Sequence, residues 1–145
     1  MRISTKCSVA LHLLVVLDVF KEKKLTSEIL ARSTGCNPVI VRNLIGSLKK
    51  AGIVDVRRGS GGTSLAAAPE DVTIWDVYQA VDTVSLDELI GVHPNPSPAC
   101  PVGSKIFQLL GKPFGLVADS VQTAMSSYTL RQILDDYDSL SQTNV

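Results

Sequence analysis

Few side chains in this 145-residue chain could do bond-making chemistry, and they are scattered: three cysteines, Cys7, Cys36 and Cys100, and two histidines, His12 and His93. An odd number of widely spaced cysteines implies no disulfide framework, and no pair has zinc-finger spacing. No acid and base stand at helical spacing and no nucleophile elbow is present, so an enzyme is not expected. An ordinary iron–sulfur site takes several thiolate ligands. Here Cys100 has only His93 as a neighbour, so neither a cluster nor another metal or cofactor is expected. Cys100 is expected at the start of a helix, where the dipole favours the thiolate. That makes Cys100, with His93 in the loop before it, the candidate redox or effector pair; the plainer alternative is an inert thiol. Cys7 is expected to be structural, Cys36 falls in a turn, and His12, on an apolar helix, is expected in the core.

The second kind of chemistry is recognition of a polyanion. Asn37-Pro38 has the form of a cap followed by a first helical residue. The helix it opens should run to about Ala51. Ile40, Val41, Leu44, Ile45, Leu48 and Ala51 fall on one side of it, and Val39, Arg42, Asn43, Gly46, Lys49 and Lys50 on the other. A glycine on an outward helical face costs about 1 kcal/mol against alanine, and it permits close approach of a partner. A basic, amide-bearing face of this kind suits a helix that enters a DNA groove. Two strand-like pieces follow, Ile53–Arg57 and Thr63–Ala66, joined through Arg58-Gly59-Ser60-Gly61-Gly62. The glycines let backbone N–H groups approach phosphates, and the tip arginine can reach a narrow minor groove. A nucleotide phosphate loop would need a Lys-Ser/Thr ending and a following helix; neither is present.

Elements that would position these residues follow from the hydrophobic pattern. Val9–Phe20 is a helix apolar on nearly every face, hence buried. Interrupted by His12 and Asp18, it falls short of the roughly 20 apolar residues of a membrane span. Thr26 caps a second helix to about Ser33, and Gly35 breaks it. Helix, glycine turn, helix and hairpin make a winged helix-turn-helix over residues 1–68, completed by a helix over 73–82 capped by Thr73. Residues 83–100 form a connecting loop, with a helical turn at Asp87–Ile90 and then prolines at 94, 96, 98 and 101. Residues 101–138 form a helical dimerisation segment. Ile106, Leu110, Phe114, Val117, Val121, Ala124 and Met125 make its seam, kinked at Pro113, and a last helix is capped at Thr129. The fold class is thus mostly α, with a small β-hairpin wing and a long C-terminal helix. Residues 139–145 are expected to fray.

Charge divides the chain. Residues 1–67 carry eleven Lys and Arg against four acids, and residues 68–145 carry three against ten. The basic half suits double-stranded DNA and the acidic half would repel it. The polar start, Met1 to Lys6, lacks a secretory cleavage site, so a cytoplasmic protein with no membrane partner is expected.

Ile3-Ser4-Thr5, Asn37 to Ile45, Leu48 to Val54 and the wing Arg57 to Gly62, in that order, resemble the Rrf2 family of bacterial winged-helix regulators, to about Leu134. The loop His93 to Pro96 with Cys100 to Gly103 resembles a cluster-free branch. The resemblance implies a homodimer whose long C-terminal helices cross, acting as a sequence-specific transcription regulator and as a repressor. It implies that Arg42 and Asn43 read base edges and Arg58 enters the minor groove. Thr26, Ser27, Val39 and the wing glycines Gly59, Gly61 and Gly62 would lie near the backbone, with Lys49 and Arg57 in the same interface. Cluster-binding members carry three cysteines close together before the long helix; this chain has Cys100 alone. The other readings are a winged helix used for protein contact and a small-molecule sensor that does not bind DNA.

Overall fold

The computed structural model describes residues 4–59, 62–82 and 84–143. Helix α1 (Lys6–Val19) starts ahead of the expected Val9. It is apolar around its circumference, so other elements must surround it. Ala10, Leu13, Leu14 and Leu17 are buried, and α1 packs on every other element of the amino-terminal unit except strand β1. His12 departs from expectation. It is exposed rather than buried, with Nε2 3.0 Å from Ser33 Oγ, because α1 leaves one narrow strip open beside α2.

Helix α2 (Ser27–Thr34) begins where the Thr26 hydroxyl accepts the Ile29 N–H at 3.3 Å. It ends at Gly35, whose φ of 71° is left-handed. Asn37 Oδ1 then accepts the Val39 N–H at 2.8 Å and opens helix α3 (Pro38–Lys50). Val41, Leu44, Ile45 and Leu48 are its buried side. Ile40 and Ala51, expected there too, are exposed. They flank the buried stripe at a point where no other element covers them. Strands β1 (Val54–Arg57) and β2 (Gly62–Leu65) pair antiparallel, Val54 with Leu65 and Arg57 with Gly62.

After a 3-10 turn at Pro69–Asp71, helix α4 (Ile74–Val81) opens with a reciprocal box: the Thr73 hydroxyl accepts from the Asp76 N–H and the Asp76 carboxylate accepts from the Thr73 N–H. Helix α5 is one turn, Leu86–Leu89. Residues 91–102 have no helix or strand, as four ring-locked φ angles dictate. A 3-10 turn at Gly103–Lys105 leads into helix α6 (Ile106–Ser126), which runs through Pro113 without a break. Its carboxyl-terminal half lies on α4 and α5, where Tyr78, Leu86, Ala118, Val121 and Met125 form a small second core. Ala118 is its one buried residue. The expected seam is therefore only partly covered: Val117 is exposed, along with Phe107, Leu109 and Leu116.

Helix α7 (Leu130–Thr143) corrects the expected division of the chain. It is ordered through Thr143, where fraying was expected from residue 139. It does not continue α6 as one segment over 101–138. It turns back, and Leu130 and Leu134 enter the core built around α1. Backbone hydrogen bonds fix the return, Leu130 N–H to Val72 O at 2.7 Å and Ile74 N–H to Tyr128 O at 3.0 Å. Arg131 Nε donates to Glu70 at 2.9 Å on the same seam. Leu134→Ala should therefore lower the free energy of urea unfolding of the whole chain by about 2–5 kcal/mol. An α7 independent of the core would leave the main transition in place.

Candidate nucleic-acid interface

Three pieces of backbone bring the sequence-predicted residues to the surface. The first is the start of α2, where Thr26 and Ser27 are half-buried around the cap. The second is the side of α3 opposite its four buried residues. Val39, Arg42, Asn43, Gly46, Lys49 and Lys50 are exposed there. At 3.6 residues per turn, Val39, Asn43, Gly46 and Lys50 occupy the middle of that face, with Arg42 and Lys49 on one flank. The third is the wing, with Arg57, Arg58 and Gly59 exposed and Gly62 half-buried. Gly61, Ser60 and Ile3 lie outside the described residues.

The wing's root is fixed by one close approach. The Thr63 N–H donates to Leu25 O at 3.1 Å. A Cβ on Gly62, whose φ is 71°, would come within 2.9 Å of that same oxygen. Only glycine lets β2 meet the segment between α1 and α2 here, so the start of α2 and the wing keep a common frame. Gly46 is the opposite case. A Cβ there would meet nothing within 4 Å. The chain's own packing does not require this glycine, and it weakens α3. It leaves the middle of the exposed face flat.

Sequence reasoning missed Glu28. Arg42 Nη2 donates to Glu28 Oε1 at 2.8 Å, joining the first turn of α2 to the flank of α3. The Glu28 carboxyl is held below the usual carboxylate range, first by its own backbone N–H, then by the Arg42 guanidinium and the Thr26 hydroxyl. The acidic residue in a first helical turn was visible in the sequence; its partner, on another helix, was not.

The cysteines separate by surroundings. Cys7 is half-buried, and burial pushes its thiol up, with Asp82 adding to the effect. Cys36 is half-buried against the core. Cys100 is exposed but not at the start of α6, because the chain first makes turns: Cys100 N–H to Ser97 O at 3.3 Å and Ser104 N–H to Cys100 O at 2.9 Å. The backbone N–H groups of Gly103 and Val102 still hold the Cys100 thiol below its ordinary range. The anion-stabilising effect expected of a helix dipole thus comes from two loop amides. His93 is exposed on the proline loop. Neither lines the cleft of about 420 Å³ between α4, α5 and α6, which Trp75, Tyr78 and Asp82 help to form.

Comparison with known proteins adds context to this geometry. The family model of Rrf2, iron-dependent transcriptional regulators, matches residues 3–136. The chain is 38% identical over 133 residues to YwnA of Bacillus subtilis strain 168, described as an HTH-type transcriptional regulator, covering 92% of this chain and 97% of that one. A solved DNA-binding protein is 33% identical with a TM-score of 0.70, covering 89% of this chain and 98% of its own. A transcriptional regulator from Lactobacillus plantarum is 27% identical with a TM-score of 0.76, covering 92% of this chain and 90% of its own. Among the described residues no three His, Cys, Asp or Glu side chains come together as ligands.

Two measurements test these assignments. Gly46→Ala should raise the unfolding free energy by about 1 kcal/mol while weakening DNA binding, the two effects running in opposite directions. Iodoacetamide labelling near neutral pH, followed by mass spectrometry, should modify Cys100 well before Cys7.

Proposed function

The chain belongs to the Rrf2 family of transcriptional regulators, and from that membership we propose that it acts as a homodimeric repressor on a near-palindromic DNA site, with α3 and the wing of each protomer on one half-site. That it is a DNA-binding transcription regulator, and not an enzyme, follows from its relatives. The observation that carries the finer reading is the side of α3 opposite Val41, Leu44, Ile45 and Leu48: exposed, basic, with a sterically unneeded glycine at its centre. Arg42 and Asn43 read base edges in the major groove. Arg58 enters the adjacent minor groove, and Thr26, Ser27, Val39 and the wing glycines lie along the phosphates, with Lys49 and Arg57 supplying further positive charge.

The homodimer is supported by α6. Phe107, Leu109, Leu116 and Val117 are exposed on it. Gly111 and Gly115 have open space where a Cβ would stand, which allows close approach of a second helix. Exposed apolar side chains of this size on a regulator need a cover, and a symmetry mate supplies one. The protein works in the cytoplasm with no iron or cluster. Its signal enters at the loop holding Cys100 and His93, through a small-molecule effector or through a peroxide. In the peroxide case the Cys100 thiolate attacks one peroxide oxygen, the other leaves as hydroxide, and a sulfenic acid remains.

The test is a titration of the purified protein on its own upstream DNA against scrambled DNA, reduced and peroxide-treated, with its mass measured in solution. Selective binding by a dimer is expected. Arg42→Ala should cost about 1–3 kcal/mol and relax selectivity at one base pair. Cys100→Ser should abolish any response to peroxide. Equal affinity for both DNAs at moderate salt would remove the sequence-specific reading.

A further inference from the structure

We propose that Glu28 is a specificity-determining residue: it holds the Arg42 guanidinium in the orientation that reads a guanine, and it does so at the expense of overall DNA affinity. This rests on the assignment of Arg42 to a base edge. The carboxylate that grips Arg42 stands on a capped helix start. Glu28 sits in the first turn of α2, which Thr26 opens by accepting the Ile29 N–H at 3.3 Å. The contact uses one Nη2 donor at 2.8 Å. A guanidinium has five N–H donors in a rigid plane, so Nη1 and the second Nη2 hydrogen remain for the O6 and N7 acceptors of a guanine. A free arginine would lose its side-chain rotamers on meeting the base. A held one has already lost part of that freedom, and it resists swinging toward a phosphate instead.

A carboxylate placed beside the DNA-facing side of α3 also repels phosphates. An ion pair with both partners more than half exposed contributes little to stability. A purely structural role therefore has little to offer here, and the pair's geometry acts on selectivity.

The experiment measures the full-length protein on a duplex selected from random sequence and on its single-base-pair variants, by fluorescence anisotropy at several salt concentrations. It compares the native chain, Glu28→Gln, Arg42→Ala and the double variant. Expected for Glu28→Gln is a loss of discrimination at one G·C pair on the order of tenfold, with tighter binding to scrambled DNA and the melting temperature unmoved; unchanged binding to scrambled DNA would overturn the affinity cost. In the Arg42→Ala background, Glu28→Gln should change the preference no further. Unchanged discrimination in Glu28→Gln, with Arg42→Ala relaxed, would overturn the positioning role alone. Additive effects would also overturn it, since Glu28 would then contact a base itself. If Arg42→Ala keeps full discrimination, the base-reading assignment beneath the proposal fails.

Discussion

The structure depends on the burial of α1. This helix carries apolar residues on nearly all sides, so it cannot rest at the edge of the molecule. It forces α2, α3, the wing, α4 and α7 to close around it. Leu13, Leu14 and Leu17 share one core with Val41, Leu44 and Leu48 of α3, which also packs on α2 and α4. Everything α3 shows to the outside is the complement of that contact. Interiors packed to crystal density do not slide, so the exposed face of α3 is aimed by residues buried beneath it.

Much of this was legible in the sequence because it is local. Caps declare themselves by residue type and spacing: Thr26, Asn37, Thr73 and Thr129 each hold the helix start expected of them. Left-handed glycines at 35 and 52 mark helix ends for the same reason. Periodicity found the buried side of α3. What it could not find was how wide that side is, because Ile40 and Ala51 lie within the apolar arc but beyond the reach of a covering element. His12 escaped for the mirror reason: a helix apolar all round still has one open strip, and only its neighbours decide where.

The less legible features are those made by pairs distant in sequence. Glu28 and Arg42 meet because α2 and α3 cross. The amides over Cys100 come from a turn that delays α6 beyond Pro101. The return of α7 to α1 required knowing that Leu130 and Leu134 match a gap left by the amino-terminal elements. A helical period states that a face is apolar, not what it will face. Glycines divide along the same line. Gly62 answers to a contact inside the chain, Gly46 to nothing inside it, and the sequence shows both simply as glycine.

The return of α7 bears on how the molecule is made. Protein chains emerge from the ribosome amino end first, and domains generally fold as units in that order. Here the hydrophobic centre of the amino-terminal unit lacks two of its leucines until residue 134 has been synthesised. By then all of α6 has already been synthesised. The nascent chain cannot complete the core beneath α3 and the wing ahead of α6, and a message broken before the last helix yields an open core.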